Sequence, residues 1–146
     1  MTTLSVVIGR FGVPNRNGRI FKIDEASLRS RLDELVGKTI GEVSQNEISQ
    51  EMAQLGDFAD AICRAETVDV SKGAGILTGY QIDCDQNNNL IVTGNVVPSP
   101  RLQNLLERDP NPTFGIRGIT RSLDSGQKAH EILKIISFDY LPPTER

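Results

Sequence analysis

His130 is the residue on which any serine–histidine chemistry in this chain depends, because the sequence contains one histidine. It lies near the start of a predicted hairpin strand, so the length of the hairpin loop decides which residue faces it. An even number of loop residues brings His130 opposite Arg121, whereas an odd number brings it opposite Thr120 or Ser122, which carry hydroxyl groups. His130, Ser122 and Thr120 are therefore fallback catalytic candidates, and a structural or surface histidine is the alternative.

Four arginines form the second group of interest. Arg16 and Arg19 flank a predicted turn, and Arg117 and Arg121 are evenly spaced on a predicted strand, which places them on one face. The guanidinium group presents five donors in a planar fork that suits carboxylates and phosphates. A site for an anionic ligand or partner segment is one interpretation, and solvated or ion-paired arginines are the other.

The sequence predicts neither a metal site nor a cofactor. One histidine and the distant Cys63 and Cys84 do not make a zinc set. Residues 83–89 are acidic, but they lack the glycine and the closing glutamate of a calcium loop, so a hairpin turn explains them better. The two cysteines are expected to be buried, reduced thiols on strands, which indicates a cytosolic protein.

The elements that must position these residues follow from periodicity and turn signals. Apolar residues repeat with helical spacing between Asp24 and Val36, and Ser99-Pro100 is typical of a helix start. Residues 38–58 predict a loop with a short helix near Gln50. Runs typical of strands occupy residues 4–11, 60–70, 75–83, 89–97, 113–123 and 128–141.

These elements predict one domain over residues 1–146, which contains 38% hydrophobic and 24% charged residues. Six strands joined mostly by tight turns, with two helices between them, indicate an α+β fold with a mainly antiparallel, barrel-like sheet. A net charge of −3 excludes broad electrostatic attraction to nucleic acid.

Four segments together carry a family resemblance. Residues 15–21 have the sequence Asn-Arg-Asn-Gly-Arg-Ile-Phe and precede a helix; residues 41–46 begin Gly-Glu-Val; residues 114–119 contain Gly-Ile-Arg-Gly; and residues 138–144 place an aspartate before two prolines. In this order they resemble the prohead core protein protease of tailed phages, whose fold is related to herpesvirus assemblin. The resemblance covers roughly residues 5–144.

The departures from that family concern the catalytic residues. The family places its catalytic histidine where this chain has Gln45, and its serine nucleophile in the segment where this chain has Arg117-Gly118. Glutamine is not a general base, and neither arginine nor glycine supplies a hydroxyl nucleophile. The resemblance therefore implies an inactive scaffold that acts by binding through a peptide groove, with Gln45 among the binding residues.

Three functions remain open: an inactive protease relative in head assembly or ligand capture, an active serine protease that uses His130, and an anti-defence protein that sequesters an anionic nucleotide. The expected partners are a phage head or scaffold protein, or an anionic small ligand. A homodimer through the helix Pro100–Arg108, with Leu102, Leu105 and Leu106, is also expected. With no apolar run of about 20 residues and no signal peptide, the expected location is the host cytoplasm or the virion, without membrane insertion or secretion.

Overall fold

A computed structural model describes residues 3–15, 18–123, 126 and 128–146. Seven strands and four α-helices are found in this part of the chain. The strands are β1 (Leu4–Phe11), β2 (Ile20–Lys22), β3 (Thr39–Glu42), β4 (Gly73–Cys84), β5 (Leu90–Pro98), β6 (Thr113–Ser122) and β7 (Ala129–Leu141). The helices are α1 (Glu25–Leu35), α2 (Gln45–Gln54), α3 (Phe58–Glu66) and α4 (Pro100–Leu106).

The strands form two sheets that together make a barrel-like wall. The first is antiparallel, with the order β1-β5-β4-β3, and it curls into half a barrel. The second has the order β2-β7-β6, with β2 parallel and β6 antiparallel to β7. A bridge between Val43 and Tyr140 connects β3 to β7. The predicted α+β class with a barrel-like, mainly antiparallel sheet is confirmed.

The core lies inside this wall and is closed by α1. Leu28, Leu32 and Leu35 are the buried residues of α1, at the helical spacing that the sequence shows. Asp24 caps the helix by accepting a hydrogen bond from the Ser27 N–H. The helix thus has a fixed start and one apolar face, and this face packs on the strands.

The chain between β3 and β4 differs most from prediction. Residues 60–70 do not form a strand, because α3 occupies most of them and Asp57 caps it by accepting from the Ala59 and Asp60 N–H groups. The helix expected near Gln50 is present as α2. The predicted burial of the cysteines is wrong, because Cys63 lies exposed on α3 and Cys84 lies exposed at the end of β4. Both are free thiols, as expected, and Cys84 lies on a strand.

Helix α4 uses its leucines within its own chain. Leu102 is fully buried, and Leu105 and Leu106 pack against the same core. Leu102 therefore belongs to the core, and Leu105 and Leu106 are half-buried against it.

Both predicted turns with described residues are present. The Gly18 N–H donates to the Asn15 carbonyl at 2.9 Å, and Gly18 has φ +75°. In the β4–β5 turn, Asp85 Oδ1 accepts from the backbone N–H groups of Asn87 and Asn89. The acidic run at residues 83–89 is thus explained as a hairpin turn.

No described helix could cross a bilayer. The longest, α1, has 11 residues, and a helical span needs about 20.

Candidate functional site

Gly41 and Glu42 bring the end of β3 onto the backbone of β7. The Gly41 N–H donates to Ser137 Oγ at 2.6 Å, and the Glu42 N–H donates to Asp139 Oδ1 at 2.8 Å. Gly41 has φ +60°, and a Cβ atom there would lie 1.9 Å from the Phe138 carbonyl oxygen. The two strands can approach this closely only because residue 41 lacks a side chain.

Gln45 is the first residue of α2 and points at the same aspartate. Ser44 caps the helix by accepting from the Glu47 N–H, which fixes where α2 begins. Gln45 Nε2 lies 3.3 Å from Asp139 Oδ2, and 3.3 and 3.4 Å from the carbonyl oxygens of Ile116 and Gly115. Its amide therefore links α2 to both β6 and β7.

Arg117 approaches Asp139 from β6. Its Nη2 donates to Glu42 Oε2 at 3.1 Å, and its Nε lies 3.3 Å from Asp139 Oδ2. The Nε group has no aligned hydrogen-bond acceptor among the described residues, so its contact with Asp139 is an ion pair. Gln45, Arg117 and Asp139 thus meet at one carboxylate, although they are far apart in the sequence.

Glu42 carries a second arginine. Arg64 of α3 binds it in a bidentate manner, with Nη2 to Oε1 at 2.6 Å and Nη1 to Oε2 at 3.0 Å. Arg64 Nε also donates to Glu51 Oε2 at 2.7 Å, and Lys72 pairs with Glu51. We call Glu42, Glu51, Arg64, Lys72, Arg117 and Asp139 the charge cluster. It contains equal numbers of acidic and basic groups.

Within the charge cluster, the pKa of Asp139 is raised, whereas the pKa values of Glu42 and Glu51 are lowered. Burial raises the pKa of Asp139 above its ordinary value, and the nearby Arg117 charge only partly offsets that effect. Burial also acts to raise the pKa of Glu42, but hydrogen bonds from Arg64 and the Asp69 N–H, with the charge of Arg117, outweigh it and lower the pKa. Hydrogen bonds from Arg64 and Lys72 lower the pKa of Glu51 to about 2.

This arrangement is suited to holding elements together. Gln45 is not a proton acceptor near neutral pH, and the Arg117 guanidinium is occupied by Glu42 and Asp139. Ser137 is fully buried, and its hydroxyl oxygen accepts the Gly41 N–H. The charge cluster therefore joins β3, β6, β7, α2 and α3, and none of its side chains is a hydroxyl or thiol nucleophile.

His130 lies at the other end of β7. Antiparallel pairing places Ser122 directly opposite it, and Thr120 lies opposite Ile132. The Phe21 ring packs on the imidazole with centroids 5.7 Å apart. Eight residues of β7 lie between His130 and Asp139, which places the two about 30 Å apart along the strand. The His130–Ser122 pair and the charge cluster are therefore different places in the molecule.

The remaining predicted binding arginines do not form one site. Arg121 pairs with Glu131, and both side chains are exposed. Arg19 is exposed on the wall of a groove beside Gln45. Arg16 lies outside the described residues.

Sequence reasoning missed Glu42 and Arg64 as site residues. Glu42 marked a family segment, and Arg64 fell in a segment predicted to be a strand. The sequence does carry a signal for the start of α2 next to Glu42. The segment Ser44-Gln45-Asn46-Glu47 has the spacing of a capping box, which predicts that a helix begins at Gln45.

No family model, no curated protein and no solved structure matches this chain.

Proposed function

We propose that this chain is a catalytically inactive relative of the phage prohead core protein protease that acts by binding another protein, as a component of head assembly. The observation that carries the proposal is the convergence of Gln45, Arg117 and Asp139 within 3.3 Å contacts. The resemblance assigns these residues to the histidine position, the nucleophile segment and the strand aspartate. These three residues are distant in sequence, and a chance similarity of three short segments would not require them to be in contact in the fold. Their contact therefore supports the alignment with the family.

The charge cluster also supports the loss of activity. A catalytic serine would have to be accessible, whereas the corresponding segment is filled by an arginine side chain that is 10% exposed and neutralised by two carboxylates. On this proposal the protein works in the host cytoplasm or in the virion.

We predict that the purified protein has no peptidase activity. Incubation with denatured casein and with a fluorophosphonate probe should give neither fragments nor labelling, while a serine protease treated in parallel gives both. Ser122→Ala and His130→Ala serve as matched variants, and both should behave like the parent chain.

The alternative function, a serine protease, is favoured by the register that places Ser122 opposite His130. A serine protease of this kind would be labelled at Ser122 by the fluorophosphonate probe. It would also cleave casein, and His130→Ala would abolish that cleavage. That result would overturn the inactive assignment.

We also predict self-association as a homodimer at micromolar concentration. Because Leu102 is buried and Leu105 and Leu106 are half-buried against the core, we place the interface on more exposed apolar residues. Phe58 of α3 is 81% exposed, and Ile62 lies exposed one turn further along the same helix. Sedimentation should give a dimer mass that Phe58→Asp converts to a monomer and that Val70→Asp, a change at another exposed apolar residue, leaves unchanged. A monomer mass for the parent chain refutes the dimer.

A further inference from the structure

A pocket of about 510 Å³ is lined by residues of α1, β7, the start of β3 and the segment that follows α3. This volume lies within the range of about 300–1,000 Å³ that small-molecule sites usually have. None of the described residues that line the pocket belongs to the charge cluster or to the groove beside Gln45. The pocket is therefore a separate place from the candidate site.

A bulge in β7 supplies one wall of this pocket. The pairing of β7 with β6 passes from Ser137 to Ile135, which leaves Ile136 as the extra residue. Arg31 of α1 lies against this stretch, and its Nε donates to the Ile135 carbonyl at 2.6 Å. Ile135 belongs to the packed core, whereas Ile136 is 5% exposed, lies outside that core and lines the pocket. The bulge residue therefore gives the pocket a buried apolar wall.

The apolar surface continues from Ile136 onto the neighbouring elements. Leu35 of α1 is buried and lines the pocket, Val68 is half-buried, and Val70 is 69% exposed. Covering the exposed part of such side chains removes apolar surface from water, which favours an occupant with an apolar body. A bare inorganic anion would leave this surface in water.

The charged residues at the pocket select the sign of the occupant. Arg31, Lys38 and Lys134 line it, and neither lysine has an ion pair with a described carboxylate. Glu34 pairs with Arg31 at 2.7 Å, and Glu66 lines the pocket without an ion pair to a described residue. Three positive charges against these two negative ones leave a net charge of +1, in a chain that carries −3. This balance suits an occupant with a single negative charge.

We propose that the pocket binds a small organic anion with one negative charge and an apolar body, such as an aliphatic carboxylate. The carboxylate meets Lys38 and Lys134, and the aliphatic body lies against Ile136 and Val70. The inference goes beyond the proposed function and does not depend on it, because the pocket and the charge cluster have no described residue in common.

An NMR titration of the ¹⁵N-labelled full chain tests the proposal with octanoate as the probe. Octanoate should shift the amide signals of Gly37 and Ile136, which line the pocket, and the shifts should saturate. Octylammonium has the same chain with the opposite charge, and acetate has the charge without the chain. Both should bind at least about ten-fold more weakly than octanoate.

Two outcomes of the titration would overturn the proposal. In the first, octylammonium or acetate binds as tightly as octanoate, so that either the charge or the aliphatic body has no part in recognition. In the second, the octanoate shifts fall on Gly9 and Gly115, which line the groove beside Gln45, and leave the signals of Gly37 and Ile136 unchanged.

Substitutions of exposed residues test the charges separately. Lys38→Gln and Lys134→Gln should each weaken octanoate binding about two- to five-fold, as expected for exposed ion pairs. Glu66→Gln should tighten binding by a similar factor, because it removes the carboxylate that lines the pocket. Lys22→Gln, a change at an exposed lysine of β2 outside the pocket, is the matched control and should have no effect.

Val70→Asp tests the apolar wall. It places a carboxylate where the aliphatic body is expected to lie, so it should weaken octanoate binding more than either lysine substitution does. Because Val70 is exposed, the amide spectrum away from the pocket should stay unchanged, which shows that the variant is folded. Lysine variants that bind octanoate like the parent chain, or a Glu66→Gln variant that binds it more weakly, would refute the proposed site.

Discussion

Gly41→Ala is expected to leave little folded protein at room temperature. A methyl group at this position would lie 1.9 Å from the Phe138 carbonyl oxygen and 2.8 Å from Asp139 Cα, and both are backbone atoms of a buried strand. β3 would have to move away from β7, which breaks the hydrogen bonds to Ser137 and Asp139. We expect a loss of more than about 4 kcal/mol in the free energy of unfolding, measured by denaturant titration with circular dichroism.

Gly37→Ala is the matched control for this prediction. Gly37 also has positive φ, at +87°, but no atom lies within 4 Å of the place that a Cβ atom would take there. The cost should therefore be only that of the left-handed backbone, about 1–2 kcal/mol. If the two variants lost similar amounts of stability, the close approach of β3 to β7 would not be the reason for glycine at position 41.

Glu42→Gln is expected to lower the free energy of unfolding by about 3–5 kcal/mol, because it removes the buried charge that neutralises two arginines. Glu42 is 1% exposed and binds both Arg64 and Arg117. Glutamine has nearly the same shape, so the loss comes from charge and not from packing. The measurement is denaturant unfolding at neutral pH.

Glu47→Gln provides the comparison with a surface pair. Glu47 lies 3.4 Å from Arg101, with half of its side chain exposed. Such pairs contribute about 0–1 kcal/mol, so Glu47→Gln should be almost neutral. A loss below about 1 kcal/mol for Glu42→Gln as well would show that Arg64 and Arg117 do not depend on Glu42.

The pH dependence gives the same residue an independent test. Since the folded-state pKa of Glu42 is lowered from 4.5, its contribution to stability is complete above pH 4.5 and is lost as the pH falls through the folded-state value. Glu51 acts in the same direction, with a pKa of about 2. Asp139 acts in the opposite direction because its pKa is raised. The parent chain should lose stability below pH 4.5, and the decline should be shallower for Glu42→Gln.

The parts of the fold that the sequence predicts are those with regular burial. α1 has its leucines on one face, and β4 to β7 are long runs bounded by turn residues. The spacing of the apolar residues and the positions of the turn residues are therefore enough to predict these elements. α3 was missed although Phe58, Ala61, Ile62 and Ala65 have the i, i+3, i+4 and i+7 spacing of an amphipathic helix. The strand prediction for residues 60–70 passed over this helical period, which begins two residues earlier. β2 and β3 have three and four residues, which is too short for a periodicity.

The residues of the candidate site were likewise predicted only in part. The family resemblance identified Gln45 as the residue at the histidine position, and the even spacing to Arg121 identified Arg117 as a candidate binding residue. The contact of Arg64 with Glu42 spans 22 residues, and that of Arg117 with Glu42 spans 75. Such pairings depend on how whole elements pack, and the sequence alone carries no period or motif that reports them.

The attachment of α3 has a consequence for how the molecule opens. This helix contributes no residue to the core; its Arg64 ties it to β3 through Glu42 and to α2 through Glu51. A helix with no residue in the core opens at a lower free energy than the packed strands of the barrel. α3 can therefore detach as a unit of local unfolding while the barrel persists, and its amide hydrogens should exchange well before those of β4 and β5.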